Sequence, residues 1–368
     1  MANNEKHMHE PLVQVSKRDT MPWYKSWGVR LIAIVLALVI CAFVIVLLTG
    51  YNPIKVYTQM FKGTFGSPRK VWNTVQKLAM LLCISLAVTP AFKMKFWNIG
   101  AEGQTLIGGL ASAAMMICFG NTMPPALLIP LMAIAAIAAG MVWGLIPAIF
   151  KANFNTNETL FTLMMNYVAM QLVSYFMVMW ENPKGSNHVG VINMNTQGGW
   201  MPTIFGQKYL LNIIIVALIT VGMYIYLKYS KHGYEIAVVG ESTNTARYVG
   251  INVKKVILRT MALSGALCGV AGLLLVSGTH HTIDTNTVGG MGFTAIMISW
   301  LAKFNPAVMV AVSFLIAFLE GGAGEIATAC GLNESIADIL TGIILFFIIG
   351  SEFFVNYRVH FHKKHKEV

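Results

Sequence analysis

Ten apolar runs separated by short polar intervals set the pattern of the chain. They cover residues 29–49, 72–92, 99–119, 126–150, 158–180, 209–227, 256–277, 289–302, 306–319 and 336–354. A membrane-crossing helix needs about 20 mostly apolar residues, so eight of these runs read as full spans. The runs at 289–302 and 306–319, split by Lys303-Phe304-Asn305, are each too short for a perpendicular crossing. They read as one kinked span or as a hairpin of two short helices. The first run is too long for a signal-peptide core and no small-residue cleavage site follows it, so it reads as a retained span.

The polar intervals carry a bias of sign. With both termini and the intervals at 93–95, 151, 228–259 and 303 placed inside, nineteen of the 26 Lys and Arg face the cytoplasm. Five of the remaining seven (Lys55, Lys62, Arg69, Lys70 and Lys77) run against that trend. Two cytoplasmic termini require an even number of crossings, which favours the hairpin and about ten spans. The chain therefore divides into a cytoplasmic tail at 1–28, a transmembrane domain at 29–355 and a basic cytoplasmic tail at 356–368. The fold class is an all-α polytopic membrane protein. Runs two to five enter from outside and the last four from inside, the arrangement expected of inverted-topology repeats.

Composition agrees. The chain of 368 residues is 56% hydrophobic and 11% charged, with a mean hydropathy of +0.64, against roughly a quarter charged residues in soluble domains. The net charge of +11 sits on residues flanking apolar runs, so membrane topology explains it better than nucleic acid does. Five scattered cysteines show neither metal nor disulfide spacing. No G-x-x-x-x-G-K-[ST] loop occurs, so ATP has no phosphate cradle here, and no catalytic pair of carboxylates emerges.

Four stretches carry polar chemistry. Phe96-Trp97-Asn98-Ile99-Gly100-Ala101-Glu102-Gly103-Gln104 packs an acid, two amides and two glycines at the start of a span. Such groups face a pathway or another polar group, or Glu102 simply sits at the positive end of a helix. Glu158, Thr162 and Asn166 are spaced four apart and form one polar stripe on a helix that Asn157 or Thr156 can cap. Gly289-Gly290-Met291-Gly292 marks a second break, or a close helix packing. His280, His281 and Asp284 lack supporting metal spacing and read as loop. Trp180, Trp200 and Trp300 suit a nucleobase or sugar stack, although an interfacial belt explains the first two equally well. The polar interval at 228–259 holds Glu241-Ser242-Thr243-Asn244-Thr245-Ala246-Arg247, a segment suited to a short helix that Ser242 or Thr243 starts and Gly250 ends.

GYEIAVVGESTNTARYVGINV resembles the coupling loop of ABC-transporter permeases in the nucleoside and simple-sugar branch, a superfamily shared with ribose and branched-chain amino acid importers. NIGAEGQ and NETLFTLMMNYVA resemble the same family's membrane words. The resemblance implies a type II ABC importer-like permease of the bacterial plasma membrane, not itself an enzyme. It implies alternating access along a path lined by Asn98, Glu102, Gln104, Glu158, Thr162, Asn166, Gly290 and Gly292. Glu241, Ser242, Thr243, Asn244, Ala246, Arg247 and Gly250 would engage a separate ATPase that binds the ATP and Mg. Further implied partners are a second permease subunit, identical or homologous, and an external solute-binding lipoprotein. Trp97 and the 300–303 stretch depart from the family pattern and leave the solute open. The rival reading is an ion-coupled secondary transporter or channel with no ATPase.

Overall fold

A computed structural model describes residues 13–18, 21–330 and 334–361 of the chain. Thirteen helices follow one another: α1 (Trp23–Thr49), α2 (Pro53–Phe65), α3 (Pro68–Lys93), α4 (Ala101–Phe119), α5 (Pro125–Phe154), α6 (Glu158–Met179), α7 (Leu210–Tyr229), α8 (Lys231–Glu241), α9 (Thr243–Tyr248), α10 (Val253–Leu275), α11 (Met291–Leu301), α12 (Pro306–Cys330) and α13 (Glu334–Asn356). A π-turn, Val276–His280, extends α10, and two short strands, β1 (Val13–Lys17) and β2 (Tyr357–Phe361), flank the helices. Among the described residues, eight helices are long and apolar enough to cross a membrane. The protein is a multi-pass membrane protein.

Contacts divide the chain into two compact units, where the sequence suggests one transmembrane domain. The first unit takes in 1–67 and 319–368, and the second Pro68–Phe318. In the first, α1 packs on α13, and Arg30 Nε donates to Glu352 Oε1 at 2.8 Å. β1 and β2 pair antiparallel, Val13 opposite Phe361 and Lys17 opposite Tyr357. The polar, mixed-charge composition of 1–28 suggests a disordered tail or one lying on the membrane surface. Instead Val13 and Val15 alternate with polar residues in the period of a strand, and the C-terminal segment supplies its mate. This pairing brings residues 13–17 and 357–361 together. The remaining basic residues expected in the C-terminal tail, Lys363, Lys364 and Lys366, lie outside the described residues.

Two further expectations change. Residues 53–65, an outer loop by the hydropathy pattern, form α2, opened by Pro53 at its first position, with Asn52 Oδ1 accepting the Ile54 N–H at 3.0 Å. The second short run is no half-length arm, because α12 continues past Glu320 to Cys330. Its glycines let α2 approach: a Cβ on Gly322 would stand 2.2 Å from the Met60 side chain.

The second unit is built round α10, which packs on α3, α4 and α5. Its glycines set the spacing. A Cβ on Gly269 would lie 2.1 Å from the Ala136 carbonyl oxygen of α5, and one on Gly140 2.3 Å from the Gly265 oxygen. Helices inside a bilayer gain no hydrophobic force by associating, so such close backbone approach carries the packing. α10 starts at the α8–α9 end of the unit, where Val253 and Val256 join a cluster with Ile236 and Ala246. It leaves at the opposite end through the π-turn. α11, with 11 residues, rises only about 16 Å at 1.5 Å per residue and cannot cross alone. Phe304 and Asn305 beyond its end share a cleft with Lys93 and Leu227, back at the α8–α9 end. Residues 281–290 and α11 together therefore make one return crossing, half irregular and half helical.

Replacing Gly269 by Leu is expected to separate α10 from α5. Thermal unfolding of the detergent-purified protein should show a loss of at least several degrees, whereas Gly324→Ala, which meets open space, should leave the midpoint unchanged.

Candidate functional site

The polar words of the sequence converge where two helices begin inside the second unit. α3 ends at Lys93, the backbone turns through Lys95 with a positive φ of 59°, and α4 starts at Ala101. α11 starts behind Gly290, whose φ of 78° is a left-handed conformation open to glycine. The two helix starts meet at Glu102. Its carboxylate is buried, and Oε1 accepts the Gly290 N–H while Oε2 accepts the Gly292 N–H, both at 2.8 Å. Glu102 thus caps α11 while lying in the first turn of its own helix, so both positive helix ends share one negative charge. Gly292 is obligatory: a Cβ there would come 2.5 Å from the Glu102 backbone nitrogen.

The irregular stretch 97–100 is satisfied from both sides. Asn98 and Gln104 pair their amides reciprocally, at 3.3 and 3.2 Å, and Asn98 Nδ2 also donates to Ser264 of α10 at 3.2 Å. The stripe on α6 supplies the rest. Thr162 Oγ1 accepts the Ile99 N–H at 3.2 Å, Asn166 Oδ1 accepts the Gly103 N–H at 2.9 Å, and Asn166 Nδ2 donates to the Ile99 oxygen at 2.9 Å. Non-helical backbone at membrane depth is tolerated only where such partners exist. Seven of the eight candidate path residues therefore belong to one network. Glu158 does not: its side chain forms an ion pair with Lys151 at 2.8 Å, across the α5–α6 turn. Asn98, Gln104, Thr162 and Asn166 are all buried, and their amides and hydroxyls bond one another and the backbone. Beside them the rings of Trp97 and Trp300 lie 5.3 Å apart and exposed.

At the α8–α9 end, the expected short helix is α9, and a further helix, α8, precedes it where the sequence suggests loop. Ser242 ends α8 and caps α9, with its Oγ accepting the Thr245 N–H at 3.2 Å, and Glu241 belongs to α8. Gly250, at φ 80°, ends the segment, and Asn252 then caps α10. α9 carries Thr243, Asn244, Ala246 and Arg247, of which only Ala246 is buried. Ala246 joins Ile236, Val239, Ala91, Ala148 and Val256, so the pair of helices is seated on α3, α5 and α10. Gly240 allows contact with the end of α3, since a Cβ there would stand 2.1 Å from the Lys93 oxygen. Arg259 of α10 donates to Glu235 of α8 at 2.7 Å. On the outer face of α9, Tyr248 is 91% exposed and Val249 is 62% exposed.

Sequence reasoning found the capping residues but missed Ser264, Arg259–Glu235 and the Lys151 partner of Glu158. Ser264 and Arg259 stand in helical surroundings with no local signal, and their partners are distant along the chain.

A family model described as branched-chain amino acid transport system / permease component matches residues 71–349. The chain is 31% identical to the guanosine ABC transporter permease protein NupP of Bacillus subtilis, over 88% of this chain and 93% of that protein. It is 30% identical to the nucleoside ABC transporter permease protein NupB of Lactococcus lactis, over 87% and 90%. It is 29% identical to the glucose ABC transporter permease protein TsgB13 of Haloferax volcanii, over 94% and 93%. No solved structure matches.

Two outcomes are expected. Glu102→Ala strands two buried N–H groups, each costing about 1–3 kcal/mol, so it should lower the unfolding midpoint more than Glu102→Gln, which keeps one acceptor. The Arg259 guanidinium bonded to Glu235 holds that carboxyl below the usual carboxylate range, ahead of an opposing effect of burial. A depressed carboxyl contributes above its unfolded pKa and loses the contribution as pH falls through its folded value. Amide protection factors in α8 should thus stay high at neutral pH and fall only in acid, and Glu235→Gln should remove that pH dependence.

Proposed function

The chain belongs to the branched-chain amino acid transport system / permease component family, and we propose that its cargo is a nucleoside. It is a permease subunit of an ABC importer, and such a subunit works with an ATPase. The observation that carries the reading is the seat of α9. An exposed short helix with Tyr248 and Val249 outward is fixed by a buried cluster to the ends of α3, α5 and α10. Force applied there reaches the Asn98–Gln104 break through Lys93 of α3, and reaches α10 through Arg259.

In this reading the ATPase holds the ATP and Mg, and Glu241, Ser242, Thr243, Asn244, Arg247 and Gly250 frame its docking surface round Tyr248. ATP-driven closure moves α3, α4 and α10, with α11 held to α4 by Glu102, as one body and opens a path bordered by Asn98, Gln104, Thr162, Asn166, Gly290 and Gly292, with Glu158 at its edge. A second permease subunit completes the path, and an external lipoprotein delivers the solute at the end opposite α9. The setting is a bacterial plasma membrane with α9 in the cytoplasm. The names of NupP and NupB support a nucleoside. A simple sugar is the second reading, supported by the name of TsgB13.

Proteoliposomes holding the permease, its ATPase and the binding protein should take up labelled guanosine only with ATP inside, and glucose should not compete. Uptake driven by an ion gradient without ATP would contradict the assignment. Tyr248→Ala removes the most exposed aromatic of the docking helix and should weaken ATPase capture by about thirty-fold, the effect of a hot spot near 2 kcal/mol. Surface binding of the purified ATPase reads that loss, and the thermal unfolding midpoint should stay unchanged.

A further inference from the structure

Away from α8 and α9, the other end of the second unit encloses a cavity of about 1050 Å³. Its wall is made by the start of α5, the segment before α7 and the π-turn that ends α10; Ile129, Gln197, Trp200, Thr203, Lys208 and His281 are among the residues lining it. Most of the lining is apolar, and hydrogen-bonding side chains are set into it, the composition of a small-molecule site. No carboxylate faces the space.

Trp200 is held rigidly in that wall. Its ring lies face to face with His281 at 3.8 Å and 8°, and its indole N–H donates to the Ile192 oxygen at 2.9 Å. The loop beneath it is pinned as well: Met201 N–H donates to the Ser277 oxygen at 3.0 Å, and Ser277 Oγ donates to the Gly199 oxygen at 2.6 Å. Burial, then the neighbouring Lys208, holds the His281 imidazole below its usual pKa, so the ring stays neutral. One face of Trp200 is covered by His281, and the ring borders the cavity. A locked aromatic surface stacks a flat ligand without an ordering cost.

The turn behind the wall is unusually polar. Gly278 presses on Asn212, so that a Cβ there would lie 2.2 Å from Asn212 Nδ2. Asn212 Oδ1 and Nδ2, Gln76 Oε1 and His281 Nδ1 are buried with no hydrogen-bond partner among the described residues. Buried polar atoms of that kind call for a polar neighbour, and π-turns gather at functional sites.

We propose that this cavity is a receiving site for the solute, one that takes a planar nitrogen heterocycle with its sugar, the base stacked on Trp200 and edged by Gln197 and Thr203. The proposal rests on the nucleoside reading above. It places the first selective contact of the permease outside the Glu102 network, at the mouth where a delivering protein would release its load.

The test is equilibrium binding of tritiated guanosine to the permease–ATPase complex in nanodiscs, without ATP and without the delivering protein. Wild type should bind, glucose should not compete, and Trp200→Phe should retain binding. Trp200→Ala should lose about ten-fold in affinity, the loss that a base–aromatic stack commands, and Thr203→Trp should abolish binding by filling the space. Unfolding midpoints certify that each variant folds. Equal binding by wild type, Trp200→Ala and Thr203→Trp would overturn the site. So would native mass spectrometry showing a phospholipid held by wild type and lost from Thr203→Trp. ATP-driven guanosine uptake that persists with an unchanged KM in Trp200→Ala would overturn the site and leave the import reading standing. Absence of any guanosine uptake by wild type would remove the import reading itself.

Discussion

One carboxylate holds the centre of this protein together. Glu102 stands between the starts of α4 and α11, two helix ends whose unsatisfied N–H groups would otherwise face each other inside a membrane. Each end carries roughly half a positive charge. A charge at membrane depth is costly, but here it accepts two backbone N–H bonds of the charge-assisted, stronger kind. The bond lengths of 2.8 Å and the bare Cα of Gly292 leave no space for another arrangement. An irregular backbone on each side of the junction is what makes the carboxylate necessary. In turn, the carboxylate is what permits the two breaks.

The remaining polar groups follow from that constraint. Asn98 and Gln104 close on each other, Thr162 and Asn166 of α6 bond the 99–103 backbone, and Ser264 ties the break to α10. α10 is the element through which the two ends of the unit communicate. Its glycines bring α4 and α5 into backbone contact, and its first turns carry the Arg259 bond to α8. A push on α9 therefore meets a stiff body rather than a loose loop. The far end of α10 gives up regular helix for a π-turn, and the cavity lined by Trp200 and His281 opens there. Both ends of the unit are thus extensions of one central helix.

Much of this was legible in the chain before any coordinates. The apolar runs gave about ten crossings, and NIGAEGQ and Gly290–Gly292 gave two breaks approaching from opposite faces. Ser242 and Gly250 gave a short helix bounded at both ends. What stayed hidden was pairing. Glu102 and Gly290 are 188 residues apart, and nothing local distinguishes a carboxylate that lines a path from one that caps a distant helix. The α2 segment was too short and too rich in lysine for a hydropathy window to register. α12 outran its expected end because Glu320 interrupts the apolar count while the helix runs on. Glu158 looked like part of a stripe by spacing, yet Lys151, across a turn made by Asn155 at φ 51°, lies nearer than the network does. Strand pairing between the two tails depends on residues at opposite ends of the sequence, beyond any local pattern.

The central claim is that Glu102 welds α4 and α11 into one body that moves as a piece when the ATPase closes. Pulsed electron–electron resonance between spin labels at Thr122, beyond the far end of α4, and Lys303, beyond the end of α11, measures this directly in the assembled transporter. The account predicts one narrow distance distribution, the same with no nucleotide and with ATP trapped by vanadate, and a broadened one in Glu102→Ala. A wild-type distance that shifts or splits when nucleotide binds would show that the two helices move independently and would contradict it.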